Sequence, residues 1–391
     1  MKILQVHNYY KQSGGEDEVF AAETEILRQN GNEVLTQTTC NSSIDEMSRP
    51  RLALHTIWSE SSRNNFFQLL KNNRPDIVHF HNIFPLISPS VYYVCKQLKI
   101  PTVQTLHNYR LICPAAILFR DSAICEDCFN SCCFCPGIRH GCYHDSHLQT
   151  AVISSMLISH RLFGTWKNKV NFYIALTEFS RKKFIQGGLP KDKVVVKPNF
   201  IYPEIESGKS KNRYILFVGR LSPEKGIMTL LGAWKLLKNV PLKIVGGGPL
   251  EKTALENLEA EGLKDIEFLG RKSHQETVEL IKKAYCLIFP SNWYECFPMV
   301  IIESFASSTP VIASRLGAME DIIDEGRNGI FFEPQNPKDL AQKVNYVWNN
   351  SDKIAIMGQE ARKDYQDKYS ANRNYKLLMD IYYRAIDQAN A

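Results

Sequence analysis

The chain has 391 residues, 44% of them hydrophobic and 11% aromatic, and a formal net charge of +6. That length exceeds one ordinary core and implies two globular domains. A charge so mild and so evenly scattered argues against a nucleic-acid partner, and fits an enzyme of anionic donors or a surface near anionic head groups.

No apolar run reaches the length that spans a bilayer. Ile3–Val6 reads as a first strand, and the chain turns polar at His7 and Asn8. The apolar start is too short for a signal peptide, so a cytoplasmic protein is expected. Ser13-Gly14-Gly15-Glu16 follows, then a helical pattern over Asp17–Gln29 that Gly31 stops. Strand, Gly-Gly loop and helix make an anion-binding layout, because small residues let backbone N–H groups approach a phosphate. A Gly-Gly pair by itself is more often an ordinary tight turn. Neither Gly-x-Gly-x-x-Gly nor a Lys-Ser/Thr ending is present, so no dinucleotide fingerprint or P-loop is read here.

Short apolar runs at Glu33–Thr36, Asp76–Phe80, Thr102–Leu106 and Phe172–Leu176 alternate with helical stretches. The alternation predicts a parallel sheet covered on both faces, with ligands beyond the carboxyl ends of its strands. Three polar clusters are expected at those ends: His7-Asn8, His79-Phe80-His81-Asn82 and His107-Asn108-Tyr109-Arg110. A single His is more often structural than functional. His107, directly after a strand, is the leading candidate, and His81 is second.

Seven of the eleven cysteines lie between Cys113 and Cys142. In a reducing compartment clustered cysteines favour metal over disulfides. Cys113, Cys125, Cys128 and Cys142 have spacings compatible with a structural zinc held by four thiolates. Cys132, Cys133 and Cys135 are then spare thiols, and the plainer reading is a reduced acceptor loop. His147–Tyr173 is apolar and basic. It reads first as a helix packed on the sheet and more sharply as a peripheral membrane face. Thr177 is the candidate cap of the next helix. Val194-Val195-Val196 is a strand, and the polar stretch 204–213 marks an interdomain linker.

The second half restarts the pattern. Tyr214–Val218 is a strand leading into Gly219-Arg220-Leu221-Ser222-Pro223-Glu224-Lys225-Gly226 and a helix. Leu242–Val245 ends in Gly246-Gly247-Gly248-Pro249, and Asp265–Leu269 ends in Gly270-Arg271. Tyr285–Phe289 is a buried strand before Ser291-Asn292-Trp293-Tyr294-Glu295-Cys296-Phe297-Pro298. Pro298 suits the first turn of a helix over Met299–Ala306. The free amides of Met299 and Val300 would attract an anion. Glu295 and Glu303 flank that point, so phosphates and hydroxyls could be bound side by side. Either Glu alone is more often a dipole contact or a solvated side chain. A strand at Thr309–Ser314, helices over Asp339–Val347 and Asp352–Tyr365, and a last amphipathic helix over Ala371–Ile386 complete the chain.

The block from Glu295 to Glu303 resembles the Glu–seven residues–Glu motif of family-4 retaining glycosyltransferases of GT-B fold. Pro298 stands where Gly is common, and Gly317-Ala318-Met319-Glu320 is a weakened form of a later motif. Gly219-Arg220-Leu221…Lys225-Gly226 matches every fixed position of a second family block. The resemblance implies an α/β, GT-B architecture of two doubly wound domains facing a cleft. Residues 1–200 with 371–391 would form the acceptor-side domain, and 201–370 the donor-binding domain. It implies transfer of a sugar, glucose first among them, from a UDP-sugar to a saccharide or lipid-linked acceptor, as in envelope or exopolysaccharide synthesis. Arg220 and Lys225 would bind the donor diphosphate, Glu303 the ribose, and Glu295 the donor sugar. Gly14, Gly15, Glu16, His107, Asn199, Gly219, Gly246, Arg271, Phe297, Pro298, Met299 and Val300 would line the site. No Asp-x-Asp motif appears, so no catalytic divalent ion is expected. A sugar-nucleotide epimerase and a non-catalytic sugar-nucleotide-binding protein are the alternatives.

Overall fold

A computed structural model describes residues 1–11, 14–129, 131, 133–208 and 211–390. Ser13 and Cys132, named above, lie outside them. Strands β1 (Lys2–Tyr9), β2 (Glu33–Cys40), β3 (Ile77–Asn82) and β4 (Thr102–Thr105) are followed by a hairpin of β5 (Phe119–Arg120) and β6 (Ala123–Ile124). Then come β7 (Phe172–Ala175) and β8 (Val194–Val196). The second half supplies β9 (Ile215–Val218), β10 (Leu242–Val245), β11 (Ile266–Gly270), β12 (Cys286–Phe289), β13 (Val311–Ser314) and β14 (Gly329–Phe332).

Two six-stranded parallel sheets result, in the orders β2-β1-β3-β4-β7-β8 and β11-β10-β9-β12-β13-β14. Parallel strands need crossover helices, and helices on both faces demand strands apolar on both faces. Cys286-Leu287-Ile288-Phe289 is such a run, buried throughout. Among the described residues no helix is long and apolar enough to cross a membrane.

The chain divides into two compact units. The first is Met1–Leu118, Cys125–Asn199 and Asn372–Ala391, and the second is Phe119–Ile124 and Phe200–Ala371. The final helix, Ala371–Asn390, thus serves the first unit almost entirely. Its Leu378, Ile381, Tyr382 and Ala385 follow a helical stripe and join Ile3, Leu27, Val103 and Ile174 in one core. The Tyr382 hydroxyl lies 2.8 Å from His79 Nδ1. Lys197 Nζ donates to Glu23 at 3.0 Å, both side chains fully buried.

Three strands run further than their apolar stretches, and the one expected over Glu33–Thr36, β2, reaches Cys40. β1 continues through His7 and Asn8 to Tyr9, and β3 through His79 and His81 to Asn82. Four of these polar residues therefore sit inside the sheet, not beyond its edge, and Asn82 is the last residue of its strand. The reason is that each finds a partner there. His7 Nε2 meets Asp17 at 2.7 Å, Asn8 donates to Asn41 at 2.7 Å, and Asn82 donates to the Asn8 carbonyl at 2.8 Å. A satisfied polar side chain ends an apolar run without ending a strand.

Candidate active site

In the second unit the strand order reverses between β9 and β12, which is where open α/β sheets leave a crevice. The loops beyond β9, β10 and β11 are tied together by backbone hydrogen bonds. Gly219 N donates to Val245 O at 3.0 Å, Leu221 N to Gly247 O at 3.2 Å, and Gly246 N to Gly270 O at 2.9 Å. Gly246 has φ +140, and a Cβ there would lie 1.9 Å from the Gly219 carbonyl oxygen. No other residue fits that crossing. Gly226, at φ +71, is equally constrained, since a Cβ would lie 1.8 Å from Pro290 O. This close approach brings the loop carrying Lys225 against the loop after β12. Asn292 N then donates to Glu224 O at 2.7 Å.

Across that junction Lys225 Nζ donates to Glu295 Oε1 at 2.6 Å. Ser291 Oγ donates to the same oxygen at 2.9 Å, and Ser314 Oγ in turn donates to the Ser291 carbonyl. Lys225 also lies 5.3 Å from the Trp293 ring, within cation–π range. Glu295 is buried, Lys225 half-buried, and Arg220 and Arg271 exposed. The helix Met299–Ala306 begins as expected, but Pro298 is its N-cap with extended backbone (ψ 96), not a residue of its first turn. No intrahelical carbonyl reaches the amides of Met299 and Val300. Glu303, 7% exposed, faces His274 Nδ1 at 3.7 Å. The Phe297 ring packs 5.9 Å from that of Tyr369.

The structure thus joins Gly219, Gly246, Lys225 and Glu295 through short contacts at the ends of neighbouring strands. Ser291 and Ser314, which buttress Glu295, escaped sequence reading. Serines after strands are too common to signal a role.

Gly14, Gly15, Glu16, His107 and Asn199 belong to the first unit. Gly14 caps the helix Gly15–Gln29, which begins two residues before the expected Asp17, and its N–H donates to Asp17 Oδ2 at 3.1 Å. The Glu16 carboxyl is pushed up to about 8 by burial and then by Asp17. Hydrogen bonds from Tyr10 and Asn108 oppose that rise and bring Glu16 beside the residue that follows His107. Protonated at neutral pH, Glu16 can donate as well as accept. Asn199 is 4% exposed, and its Oδ1 accepts no hydrogen bond among the described residues.

Behind His107 runs a polar chain that only its histidines foreshadowed. Glu23 lies 3.1 Å from His79 Nδ1 and 3.4 Å from His81 Nε2, and His81 Nδ1 lies 3.1 Å from His107 Nε2. The His-x-His spacing was the available signal, since alternate strand residues share one face. Burial alone would raise the Glu23 carboxyl, but Lys197 and His79 outweigh it and hold it well below the usual range.

His81 is pushed down to about 3, by burial first and then by His79. His7 is lowered too, burial outweighing its bond to Asp17. Both native values lie below the unfolded value of about 6.5. Below that pH the unfolded chain takes up protons that the native chain refuses, so stability is full above it and falls as pH drops. Each such His removes up to about 1.4 kcal/mol per pH unit. Glu16, raised above its unfolded value, has the opposite slope, but burial lowers His107 as well, so three histidines outweigh one carboxyl and the melting temperature is expected to fall between about pH 7 and about pH 5. A flat profile would contradict this picture.

Of the clustered cysteines, Cys133 and Cys135 are not spare thiols. They form a disulfide with Cα atoms 5.2 Å apart, a separation that suits the bond. Cys113, Cys125, Cys128 and Cys142 are not part of that bond.

Two family models match the chain: "Glycosyltransferase Family 4" over residues 41–205 and "Glycosyl transferases group 1" over residues 201–364. An uncharacterized glycosyltransferase of Methanocaldococcus jannaschii is 34% identical over 243 residues, 60% of this chain and 68% of that protein. D-rhamnosyltransferase WbpZ of Pseudomonas aeruginosa is 30% identical, but over only 41% of this chain and 42% of its own. Apart from the first, the curated relatives named among the best matches are covered over half of their length or less. Among solved structures, a glycosyltransferase from Rickettsia africae superposes with a TM-score of 0.71 at 18% identity, covering 98% of both chains. HepE of Anabaena, solved with UDP, gives 0.68 at 16% identity, covering 97% of this chain and 99% of its own. The chain belongs to the family-4 glycosyltransferases and has the GT-B fold.

Proposed function

We propose that the chain transfers a hexose, with glucose the first to test, from a UDP-sugar to a hydroxyl of a saccharide or lipid-linked acceptor, retaining the anomeric configuration. One observation carries this reading. A cation and a carboxylate, Lys225 and Glu295, meet at the reversal point of a parallel sheet, just before a helix start. UDP as the leaving nucleotide is supported by HepE, whose structures hold UDP and UDP-glucose. In this reading residues 201–370 bind the donor, and 1–200 with 371–391 take the acceptor.

The glutamates are committed to hydroxyls, Glu303 to the ribose and Glu295 to the donor sugar. Neither is free to act as a covalent nucleophile. The acceptor hydroxyl then attacks from the face the diphosphate leaves, and the departing phosphate oxygen takes its proton. The protein's main task is to stabilise charge growing on the diphosphate. Lys225, Arg220 and the amides of Met299 and Val300 supply the positive potential, so no divalent ion is assigned a step. In this reading the backbone at Arg271 contacts the base.

A lipid-linked acceptor is favoured by a surface of the first unit. The helices Arg49–Ile57 and His147–Leu162 carry no carboxylate, yet expose Leu54, Leu148 and Leu162, with Phe163 next to the second. Apolar side chains among cations suit an anionic lipid surface and would hold the protein at the inner face of a membrane.

Thermal shift with a panel of UDP- and GDP-sugars tests the donor. A ligand at a hundred times its dissociation constant adds about 2.7 kcal/mol, so UDP-glucose is expected to raise the melting temperature by several degrees. No response to any nucleotide-sugar would overturn the reading, and a GDP-sugar giving the largest shift would replace UDP. Product analysis without acceptor then separates transfer from epimerisation. Sedimentation with anionic vesicles, but not with neutral ones, is expected if the apolar face meets lipid.

A further inference from the structure

The polar run behind His107 decides where the proton of that ring sits. It starts at Lys197, just after β8, whose Nζ donates to Glu23 Oε2 at 3.0 Å and to Asn374 Oδ1 of the final helix at 3.2 Å. Glu23, on the helix Gly15–Gln29, thus keeps its charge in the interior, where a carboxylate is tolerated only beside a cation. Its other oxygen, Oε1, lies 3.1 Å from His79 Nδ1 and 3.4 Å from His81 Nε2. Both histidines are on β3, two residues apart, so their rings stand on one face of the sheet.

Glu23, His79 and His81 are close enough to hold a cation. The charge balance argues against one. Lys197 already neutralises the carboxylate, so a dication would stand beside a buried ammonium with nothing to offset it.

A neutral imidazole has one donor nitrogen and one acceptor nitrogen. His81 turns Nε2 toward Glu23 and Nδ1 toward His107 Nε2, at 3.1 Å. With its proton on Nδ1, His81 would face the carboxylate with the lone pair of Nε2, and no described donor reaches that nitrogen. Opposed lone pairs in the interior repel and stay unpaired. With its proton on Nε2, His81 presents an N–H to the negative charge, and Nδ1 accepts from His107. Double protonation is opposed by burial and then by His79, which push His81 down to about 3. His107 must then carry its own proton on Nε2. Its Nδ1 keeps a lone pair and has no hydrogen-bond partner among the described residues. The half-buried ring lines a small cavity of the first unit together with Tyr10, Asn108 and Arg110.

We propose that Glu23 and His81 are positioning residues that hold the His107 proton on Nε2, so that Nδ1 can only accept. A ligand at that atom must bring a hydrogen-bond donor, which a sugar hydroxyl does and an ionised phosphate ester does not. That the hydroxyl belongs to a saccharide rests on the function proposed above. The tautomer does not, because it is set within the first unit.

Nitrogen-15 NMR of the full chain, labelled in the histidine rings, tests this. The His107 resonances are assigned by their loss in His107→Gln. At neutral pH a pyrrole-like shift is expected for Nε2 and a pyridine-like shift for Nδ1. A scalar coupling between His107 Nε2 and His81 Nδ1 is expected across their hydrogen bond. A proton on His107 Nδ1, a doubly protonated His107, or two uncoupled rings would each overturn the proposal. Inorganic phosphate is expected to leave Nδ1 in place, and a move toward the protonated shift would overturn its acceptor role. A panel of nucleotide-sugars and free saccharides that leaves Nδ1 unmoved would overturn the saccharide assignment alone.

Glu23→Gln combined with Lys197→Met removes one charge of each sign. An amide can donate to His81 Nε2 as readily as accept from it, so averaged shifts from both His107 tautomers are expected. An unchanged His107 in that variant, still melting cooperatively, would show that Glu23 positions nothing. Where the double variant fails to fold, His81→Phe takes its place, keeping a ring stacked on His107 while removing the acceptor. The same averaging is expected there, and an unchanged His107 would again overturn the proposal.

Discussion

Lys225→Met is expected to slow sugar transfer on the order of a hundredfold to a thousandfold. A charge pair at about 4 Å is worth about 4 kcal/mol at an effective dielectric of 20, and each decade of rate takes about 1.4 kcal/mol. The full Coulomb energy sets the upper end, and screening in an open site lowers it. Methionine keeps the apolar stem beside Phe289 and Trp293, so the change is mainly one of charge. The fold should survive, because the ammonium is partly exposed and the buried Glu295 is not left without a donor. Its hydrogen bond from Ser291 remains. Arg220→Ala, at an exposed guanidinium, should act in the same direction. Turnover and melting temperature are measured together. A folded Lys225→Met variant with wild-type turnover would end the assignment of this cation to the diphosphate.

The second large effect is a contrast between two glutamates. Glu303→Gln keeps the size of the side chain but removes its charge and one acceptor oxygen. A hydrogen bond to a charged group contributes roughly 1.5–3 kcal/mol, so affinity for free UDP should fall about tenfold or more. Glu295→Gln should leave free UDP binding nearly intact and reduce transfer instead. The structure adds a reason to expect a cost in rate. Glu295 orients Lys225 at 2.6 Å, and a neutral amide would hold that ammonium less firmly. Calorimetry with UDP alone, then turnover with the complete donor, reads the two effects separately. If Glu295→Gln loses UDP affinity while Glu303→Gln keeps it, the ligand lies the other way round.

Much of the fold was legible because parallel strands buried on both faces must be apolar throughout. The runs 242–245 and 194–196 coincide with β10 and β8, and the helix Met299–Ala306 has the expected bounds. Thr177 caps its helix as read, with its side chain accepting from Ser180 N. These are local matters, decided by propensity, periodicity and capping within a few residues. The same kind of reading stopped β1 and β3 too soon, because hydropathy registers a histidine as polar whether or not a partner awaits it.

Residue spacing alone also marked Gly219–Gly226 and Glu295–Glu303 as two blocks worth a site. That Lys225 and Glu295 form a pair was decided by tertiary structure. They are 70 residues apart, and they meet because β9 and β12 are neighbours across a reversed strand order. Gly226 permits the meeting by letting two loops approach closer than any Cβ would allow. The buried run from Lys197 through Glu23 and His81 to His107 is of the same kind. Its members come from four different segments, and each charge or ring nitrogen is tolerable in the interior only because the others are there. A sequence determines which residues can make such bonds. Which of them do is fixed when the sheet order closes the distances between them.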